Sequence, residues 1–316
     1  MKQKQEDTMK KHIAFILALT LALSLFGCAK QTAQSENGKE TEENKTEQTD
    51  QKTENSEPAV TIDETTAWRY VLTTETRTEE EKNDAGVLLA TTSYELPTLT
   101  AVCDDASQEP PEVQRRVCEA FNKRVAELSQ GLSPVNKLAE GAREQYNEMG
   151  EESQKNFPTH SEELHVSANR QSGDLLEVSF QTYGFWGGAH GGSSFFTWHY
   201  DLADGAFVEL AELSDKPEEL NRMIANEVID AIGKANDPDS YFEDYAETIR
   251  AKDSFEVSFG ADAMDVSFSQ YEIAPYATGM PTFSISYEKL TPFLNERGQR
   301  LLAAFSSSSE KTAEGA

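Results

Sequence analysis

Residues 164–183, LHVSANRQSGDLLEVSFQTY, carry the pattern that decides the fold. Two strand-like stretches, Leu164 to Arg170 and Leu175 to Tyr183, flank the four residues Gln171 to Asp174. Gly173 can adopt the positive φ of a tight turn, and such a turn between two strand-like stretches predicts a β-hairpin. Because a hairpin joins antiparallel strands, this segment predicts an antiparallel sheet.

Similar signals lie on both sides of this hairpin. Asp204-Gly205 is a second turn signal, between Phe195 to Leu202 and Phe207 to Leu210, so four strands follow almost directly upon one another. Nearer the N-terminus, Trp68 to Thr74 and Thr91 to Val102 are rich in residues that favour strands. The polar region from 79 to 86 is expected to connect these two strands.

Helical patterns separate the groups of strands. Pro110-Pro111 precedes apolar residues spaced by three or four positions, which predicts a helix that ends near Gly131; these residues are Val113, Val117, Phe121, Val125 and Leu128. Further helices are expected over 138–152, 214–232, 238–249 and 290–305. Runs of strands and runs of helices in this order predict an α+β protein with antiparallel sheets and packed helices.

The predicted organisation has two folded units. We expect an N-terminal α+β domain over residues 58–185, a C-terminal α+β domain over residues 186–305 and a flexible tail over residues 306–316. No period of 20 to 50 residues indicates a solenoid or propeller.

The first 28 residues have the features of a lipoprotein signal peptide. Four lysines precede the apolar run from Ile13 to Phe26, which is too short to span a bilayer. Gly27 and Cys28 follow this run as in a lipoprotein cleavage site, so we expect Cys28 to receive a lipid. An ordinary secretory signal with an accidental cysteine is the alternative. The polar residues 29–57 predict a disordered tether that holds the domain away from the membrane.

The composition is strongly acidic. The chain has 56 Asp and Glu residues against 28 Lys and Arg residues, a formal net charge of -28. Nucleic acid and anionic lipid surfaces are therefore disfavoured as partners. The acidity is explained either by solubility outside the cell or by attraction of a cationic protein.

Two cysteines remain after Cys28. Cys103 and Cys118 would close a loop of roughly 15 residues, and a disulfide there would contribute about 3 kcal/mol in the chain-entropy model. An exported protein favours this bond, while two buried thiols are the alternative. Their spacing matches no zinc motif.

A glycine-rich segment over residues 184–192 is the most unusual feature of the folded part. Its five glycines surround Phe185, Trp186 and His190, and aromatic side chains in such a loop suit binding to a sugar or to a protein groove. A wide loop in which the two aromatic rings fill the core is equally compatible with the sequence.

A second candidate segment, residues 270–279, reads QYEIAPYATG. Tyr271 and Tyr276 bracket Pro275, and Gly279 can take a positive φ before the next strand. The structural interpretation is a rigid loop between two strands. The functional interpretation is a recognition surface built from the two phenol rings.

Patterns for catalysis, metals and cofactors are weak. His190, His199 and Asp201 lack the spacing of a compact metal motif. Ser193 and Ser194 lie near His190 in sequence, but the G-x-S-x-G elbow is absent. We therefore expect no metal, cofactor or catalytic residue.

The sequence resembles a known family, the RsiV-like extracytoplasmic domain of an anti-sigma factor, which also occurs beside catalytic domains in some peptidoglycan deacetylases. The residues that carry the resemblance are Tyr183 with Gly187-Gly188-Ala189-His190, Tyr200-Asp201-Leu202 with Gly205 and Leu210, and Tyr271-Glu272-Ile273-Ala274-Pro275-Tyr276-Ala277 with Gly279. The region from Trp68 to Tyr146 resembles the smaller domain that commonly precedes this one. The resemblance implies two α+β pieces, and in the anti-sigma factor the domain binds lysozyme.

These observations predict a lipid-anchored binding module on the outer face of the cytoplasmic membrane. Its expected partner is lysozyme, another cationic protein or peptidoglycan, and its expected contact residues are Phe185, Trp186, His190, Tyr271 and Tyr276. Two alternatives remain, a cell-wall hydrolase or esterase that uses His190, and a structural accessory protein of the envelope.

Overall fold

The structure, a computed structural model, describes residues 68–104, 108–235 and 237–313. The nine strands in these ranges form a six-stranded sheet of order β1-β2-β3-β4-β5-β6 and a three-stranded sheet of order β7-β8-β9. The strands are β1 (Trp68–Lys82), β2 (Leu88–Cys103), β3 (His160–Ser172), β4 (Leu175–Phe185), β5 (Gly192–Asp201), β6 (Ala206–Phe207), β7 (Glu256–Phe259), β8 (Ala263–Ser267) and β9 (Thr282–Ser286).

Seven α-helices lie in the same ranges. They are α1 (Glu112–Gly131), α2 (Val135–Glu148), α3 (Glu151–Gln154), α4 (Pro217–Gly233), α5 (Tyr245–Arg250), α6 (Tyr287–Leu290) and α7 (Glu296–Ala313). Short 3-10 turns cover Leu210–Leu213, Pro238–Ser240, Tyr276–Thr278 and Thr291–Phe293. The predicted α+β class with mainly antiparallel sheets is confirmed.

The predicted hairpins form at the predicted turns. β3 pairs antiparallel with β4 and closes at Ser172 and Leu175, where Gly173 has φ +56°. β4 pairs with β5 in turn, and the Asp204-Gly205 turn joins β5 to the short strand β6. The turn signals at Gly173 and Gly205 are thus confirmed, whereas the strand predicted over Phe207 to Leu210 covers only Ala206–Phe207 and is followed by a 3-10 turn over Leu210–Leu213.

One strand pair departs from the predicted hairpins. β2 and β3 are parallel, with Ala90 opposite His160 and Tyr94 opposite Leu164. The helices α1, α2 and α3 lie between these strands in sequence and return the chain to the end of the sheet where β2 begins. A crossover of this kind produces a parallel pair.

An aromatic core lies between α1 and the six-stranded sheet. Phe121 of α1 is fully buried and contacts three rings of β5 and β6, those of Trp198, Tyr200 and Phe207, at centroid distances of 6.1, 5.4 and 5.8 Å. The Tyr200 hydroxyl donates a hydrogen bond to the Val117 carbonyl at 2.6 Å. Burying one such ring stabilises a fold by about 2 kcal/mol, so this cluster fixes α1 on the sheet.

A second core joins the smaller sheet to α4 and α7. Its buried members include Ile224 and Val228 of α4, Phe259 and Val266 of the sheet, and Leu301 of α7. The predicted helix after residue 290 continues past Phe305 to Ala313, because neither proline nor glycine interrupts it there.

Polar bonds connect the two sheets. The backbone N–H of Phe259 on β7 donates to Glu177 of β4 at 2.7 Å, and the Phe259 carbonyl accepts a hydrogen bond from Arg170 of β3. The N–H of Thr197 on β5 donates to Glu256 of β7 at 3.1 Å. The edge of the smaller sheet is thereby held against the larger one.

The structure does not test the predictions for the N-terminal residues or for the domain boundary. The signal peptide (1–28), the lipidation of Cys28 and the tether (29–57) lie outside the described residues. The boundary between 185 and 186 stays a prediction, and there the chain passes from β4 towards its neighbour β5. Among the described residues no helix is long and apolar enough to cross a membrane.

The two cysteines of the folded part lie on neighbouring elements. Cys103 is the last residue of β2 and Cys118 lies on α1, and each carries a half-buried thiol. Burial raises the pKa of the Cys118 thiol to about 11, while a hydrogen bond with the backbone of Ala101 opposes that rise. Their pairing stays a prediction.

Candidate functional site

Three of the five predicted contact residues come together on the surface. His190 stacks on Tyr276, with ring centroids 4.0 Å apart and planes 22° apart, and the Tyr271 centroid lies 6.2 Å from His190 and 6.0 Å from Tyr276. Tyr271 and Tyr276 are 44% and 39% exposed. We call these three side chains the aromatic platform. Among the described large apolar residues, only Val113 is as exposed.

Hydrogen bonds hold the histidine ring in the platform. The Nδ1 atom of His190 lies 3.0 Å from the Gly191 carbonyl, and its Nε2 atom lies 3.2 Å from the Tyr271 hydroxyl. A carbonyl oxygen only accepts hydrogen bonds, so we assign the ring proton to Nδ1. In that tautomer Nε2 accepts from Tyr271, and the ring orientation is set from both sides.

A hydrogen bond and an ion pair hold the segment that carries the two tyrosines. Tyr271 adopts φ +63°, which is uncommon for a residue with a Cβ atom. Its neighbour Glu272 accepts a hydrogen bond from the Ser269 N–H at 2.8 Å and forms an ion pair with Lys252. Strained backbone persists where the surroundings determine it, and it is concentrated at functional sites.

Gln270 joins the two chain segments that carry the platform side chains. Its side-chain oxygen accepts a hydrogen bond from the backbone N–H of Ser193 at 2.8 Å, which connects the glycine-rich segment to the tyrosine segment. Gln270 opens the candidate segment 270–279, but the sequence assigned no contact to its side chain. Its position directly before Tyr271 was the available signal.

Phe185 and Trp186 lie elsewhere. The Trp186 indole packs against the cluster of Ala90, Leu138 and Ala139, and its Nε1 donates to Glu162 at 3.1 Å. Phe185 makes an edge contact with the His160 ring, with centroids 6.5 Å apart. Both residues are half-buried and pack against neighbours, and their role in binding stays a prediction.

An acidic segment is hydrogen-bonded to the turn that carries the tyrosines. The Thr278 hydroxyl, two residues after Tyr276, donates to the Ser240 carbonyl at 3.1 Å, and the Phe242 N–H donates to the Ile273 carbonyl at 3.0 Å. The segment 237–247 is therefore held beside the tyrosine turn. It carries five exposed carboxylates, on Asp237, Asp239, Glu243, Asp244 and Glu247.

The other residues weighed for catalysis or metal binding have structural partners. His199 and Glu177 form a buried pair at 3.2 Å, and Asp201 accepts hydrogen bonds from Arg297 and Arg300. The Ser194 hydroxyl is buried and lies 2.7 Å from that of Thr182. Within the described ranges, no group of three or more His, Cys, Asp or Glu side chains could hold a metal ion.

Comparisons with known proteins support the fold and leave the function open. The chain is similar to a DUF3298 family member from Bacteroides fragilis, with 15% identity and a TM-score of 0.53 over 76% of this chain and 99% of that one. A DUF3298 family protein from Pseudomonas aeruginosa has 20% identity and a TM-score of 0.39 over 71% and 95% of the two chains.

No curated protein matches the chain. Residues 210–288, which contain Tyr271 and Tyr276, match the family described as "Protein of unknown function (DUF3298)".

Proposed function

We propose that the chain is an extracellular binding module that captures a cationic protein at the cell wall. The observation that carries this proposal is the exposed aromatic platform, together with the acidic segment hydrogen-bonded to its tyrosine turn. Exposed aromatic rings supply contact area and attract cations, and the carboxylates supply charge complementarity.

The electrostatics of the whole chain support the same partner. A formal net charge of -28 attracts a basic protein over long distances and speeds its association. Within the described residues, none of the five carboxylates in segment 237–247 forms an ion pair. They therefore remain available to a basic partner.

The proposed location and the preferred partner depend on sequence. A lipid on Cys28 and a tether over 29–57 would hold the module on the outer face of the cytoplasmic membrane. The RsiV-like resemblance favours lysozyme among cationic proteins. Peptidoglycan is the other candidate ligand, since an exposed aromatic face also suits sugars.

Calorimetric titration of lysozyme into residues 58–316 tests the proposal. We expect one-to-one binding that weakens as salt rises, because exposed charges are screened. Absence of binding at low salt contradicts capture of lysozyme, and salt-independent binding contradicts the electrostatic part.

A pair of charge variants locates the surface. Asp237→Asn with Asp239→Asn should weaken lysozyme binding about three- to tenfold at low salt, because two rim charges are lost. The control, Glu75→Gln with Asp84→Asn, removes two exposed carboxylates from the β1–β2 hairpin and should leave affinity unchanged within about twofold. Equal effects of the two pairs would show that only net charge matters.

A further inference from the structure

We infer that the aromatic platform selects arginine over lysine side chains of its protein partner. This inference deepens the proposed function and rests on it. It concerns which cation the surface binds.

The shape of the platform suits a flat cation. The ring planes of His190 and Tyr271 are 23° apart, those of His190 and Tyr276 are 22° apart, and the two tyrosine rings are 34° apart. His190 and Tyr276 therefore stack face to face, which covers one face of each ring and leaves the outer face of each for a flat cation, with Tyr271 beside the stack. A guanidinium is planar, stacks on aromatic faces and is weakly hydrated, whereas an ammonium is compact and strongly hydrated.

The neighbouring carboxylates suit the same group. Asp237 and Asp239 flank Pro238. The carbonyl of the following residue, Ser240, accepts a hydrogen bond from the Thr278 hydroxyl. A guanidinium stacked on a ring keeps its N–H groups in a plane parallel to that ring, where they are free to donate to a carboxylate. Arginine can then form two parallel hydrogen bonds with one carboxylate, which lysine cannot do.

Lys252, the basic side chain paired with the tyrosine segment, is already engaged. Lys252 pairs with Glu272, and its ammonium lies 5.7 Å from the centroid of the Phe268 ring and 6.0 Å from that of Phe255. This lysine is three-quarters buried, so it does not occupy the exposed face. Lys252 therefore leaves the exposed rings open to a cation of a partner.

Two peptides of equal charge test the inference with the full chain in a neutral detergent. Their sequences are four Arg-Gly repeats and four Lys-Gly repeats, each acetylated and amidated. At low salt we expect the arginine peptide to bind about two- to fivefold tighter, the gain typical of one exposed cation–π contact.

Three variants separate stacking from charge. Tyr276→Leu keeps an apolar side chain without a ring and should bring the two affinities together, whereas Tyr276→Phe keeps the ring and should keep the preference. Asp239→Asn should weaken both peptides, and the arginine peptide more, because only arginine can form two parallel hydrogen bonds with that carboxylate.

Equal affinities for the two peptides in the unaltered chain overturn the inference and leave the proposed function standing. Failure of both peptides and of lysozyme to bind overturns the proposed function itself. A preference that persists in Tyr276→Leu, with an unchanged near-ultraviolet circular dichroism spectrum outside the tyrosine band, also overturns the inference.

Discussion

Asp201 is a fully buried carboxylate that connects the C-terminal helix to the large sheet. Its Oδ2 atom accepts hydrogen bonds from Arg300 at 2.5 Å and from Arg297 at 3.1 Å, while its Oδ1 atom accepts one from the Ala203 N–H. Burial favours the neutral acid, but the hydrogen bonds and charges of the two arginines outweigh burial and lower the pKa of Asp201. The residue therefore stabilises the fold in its ionised form.

Asp201→Asn should lower the free energy of unfolding by about 3 kcal/mol at neutral pH, the low end for a broken buried pair, since both arginines remain partly in water. Because the folded pKa lies below the unfolded value of about 3.9, this contribution is complete above that value and is lost as pH falls through the folded pKa. Urea unfolding between pH 3 and pH 7 measures it. A difference between the two proteins that grows as pH falls would contradict this role.

At the scale of the element, close packing shapes the segment that presents His190. A Cβ atom added at Gly191 would lie 2.4 Å from the Tyr183 ring, closer than nonbonded atoms approach. The same addition at Gly188 meets nothing nearer than the His190 carbonyl at 3.8 Å. Two glycines three residues apart therefore have different tolerance to substitution.

Gly191→Ala should displace His190 from Tyr276 and cost about 1–3 kcal/mol of stability, as overpacking typically does. Gly188→Ala is the matched control and should change stability by less than about 0.5 kcal/mol. Urea unfolding and the NMR signals of the His190 ring report the two effects. Equal outcomes for the two variants would show that Tyr183 does not constrain the segment.

At the scale of the whole molecule, Glu177 connects the two sheets. It is buried on β4 and accepts the N–H of Phe259, the last residue of β7, at 2.7 Å, while lying 3.2 Å from the His199 ring. A buried N–H that loses its acceptor costs about 1–3 kcal/mol. The hydrogen bond between Glu177 and Phe259 should therefore determine how easily the smaller sheet separates from the larger one.

Glu177→Ala should speed amide exchange in β7 and β8 more than in β3 and β4, because local opening of the smaller sheet becomes easier. Glu177→Gln retains a side-chain oxygen that can accept the Phe259 N–H, so it should restore most of the protection. Hydrogen exchange followed by NMR distinguishes the variants. Equal acceleration in both sheets would instead indicate a general loss of stability.

The sequence by itself determined the features that depend on neighbours in the chain. The turn at Gly173 predicted the β3–β4 hairpin, and the apolar spacing around Phe121 predicted α1, since both signals lie within one element or one turn. The tyrosine segment was also visible as a candidate from its own residues. For the candidate site, the sequence supplied candidate side chains without their arrangement.

Only the tertiary structure decided which distant residues meet. It placed β2 parallel to β3 and brought His190 to Tyr271, 81 positions away. It also separated Trp186 from the platform and set acidic segment 237–247 beside Tyr276. Such contacts arise from packing between elements, and the local periodicity of a chain does not encode which faces of separate elements will be buried together.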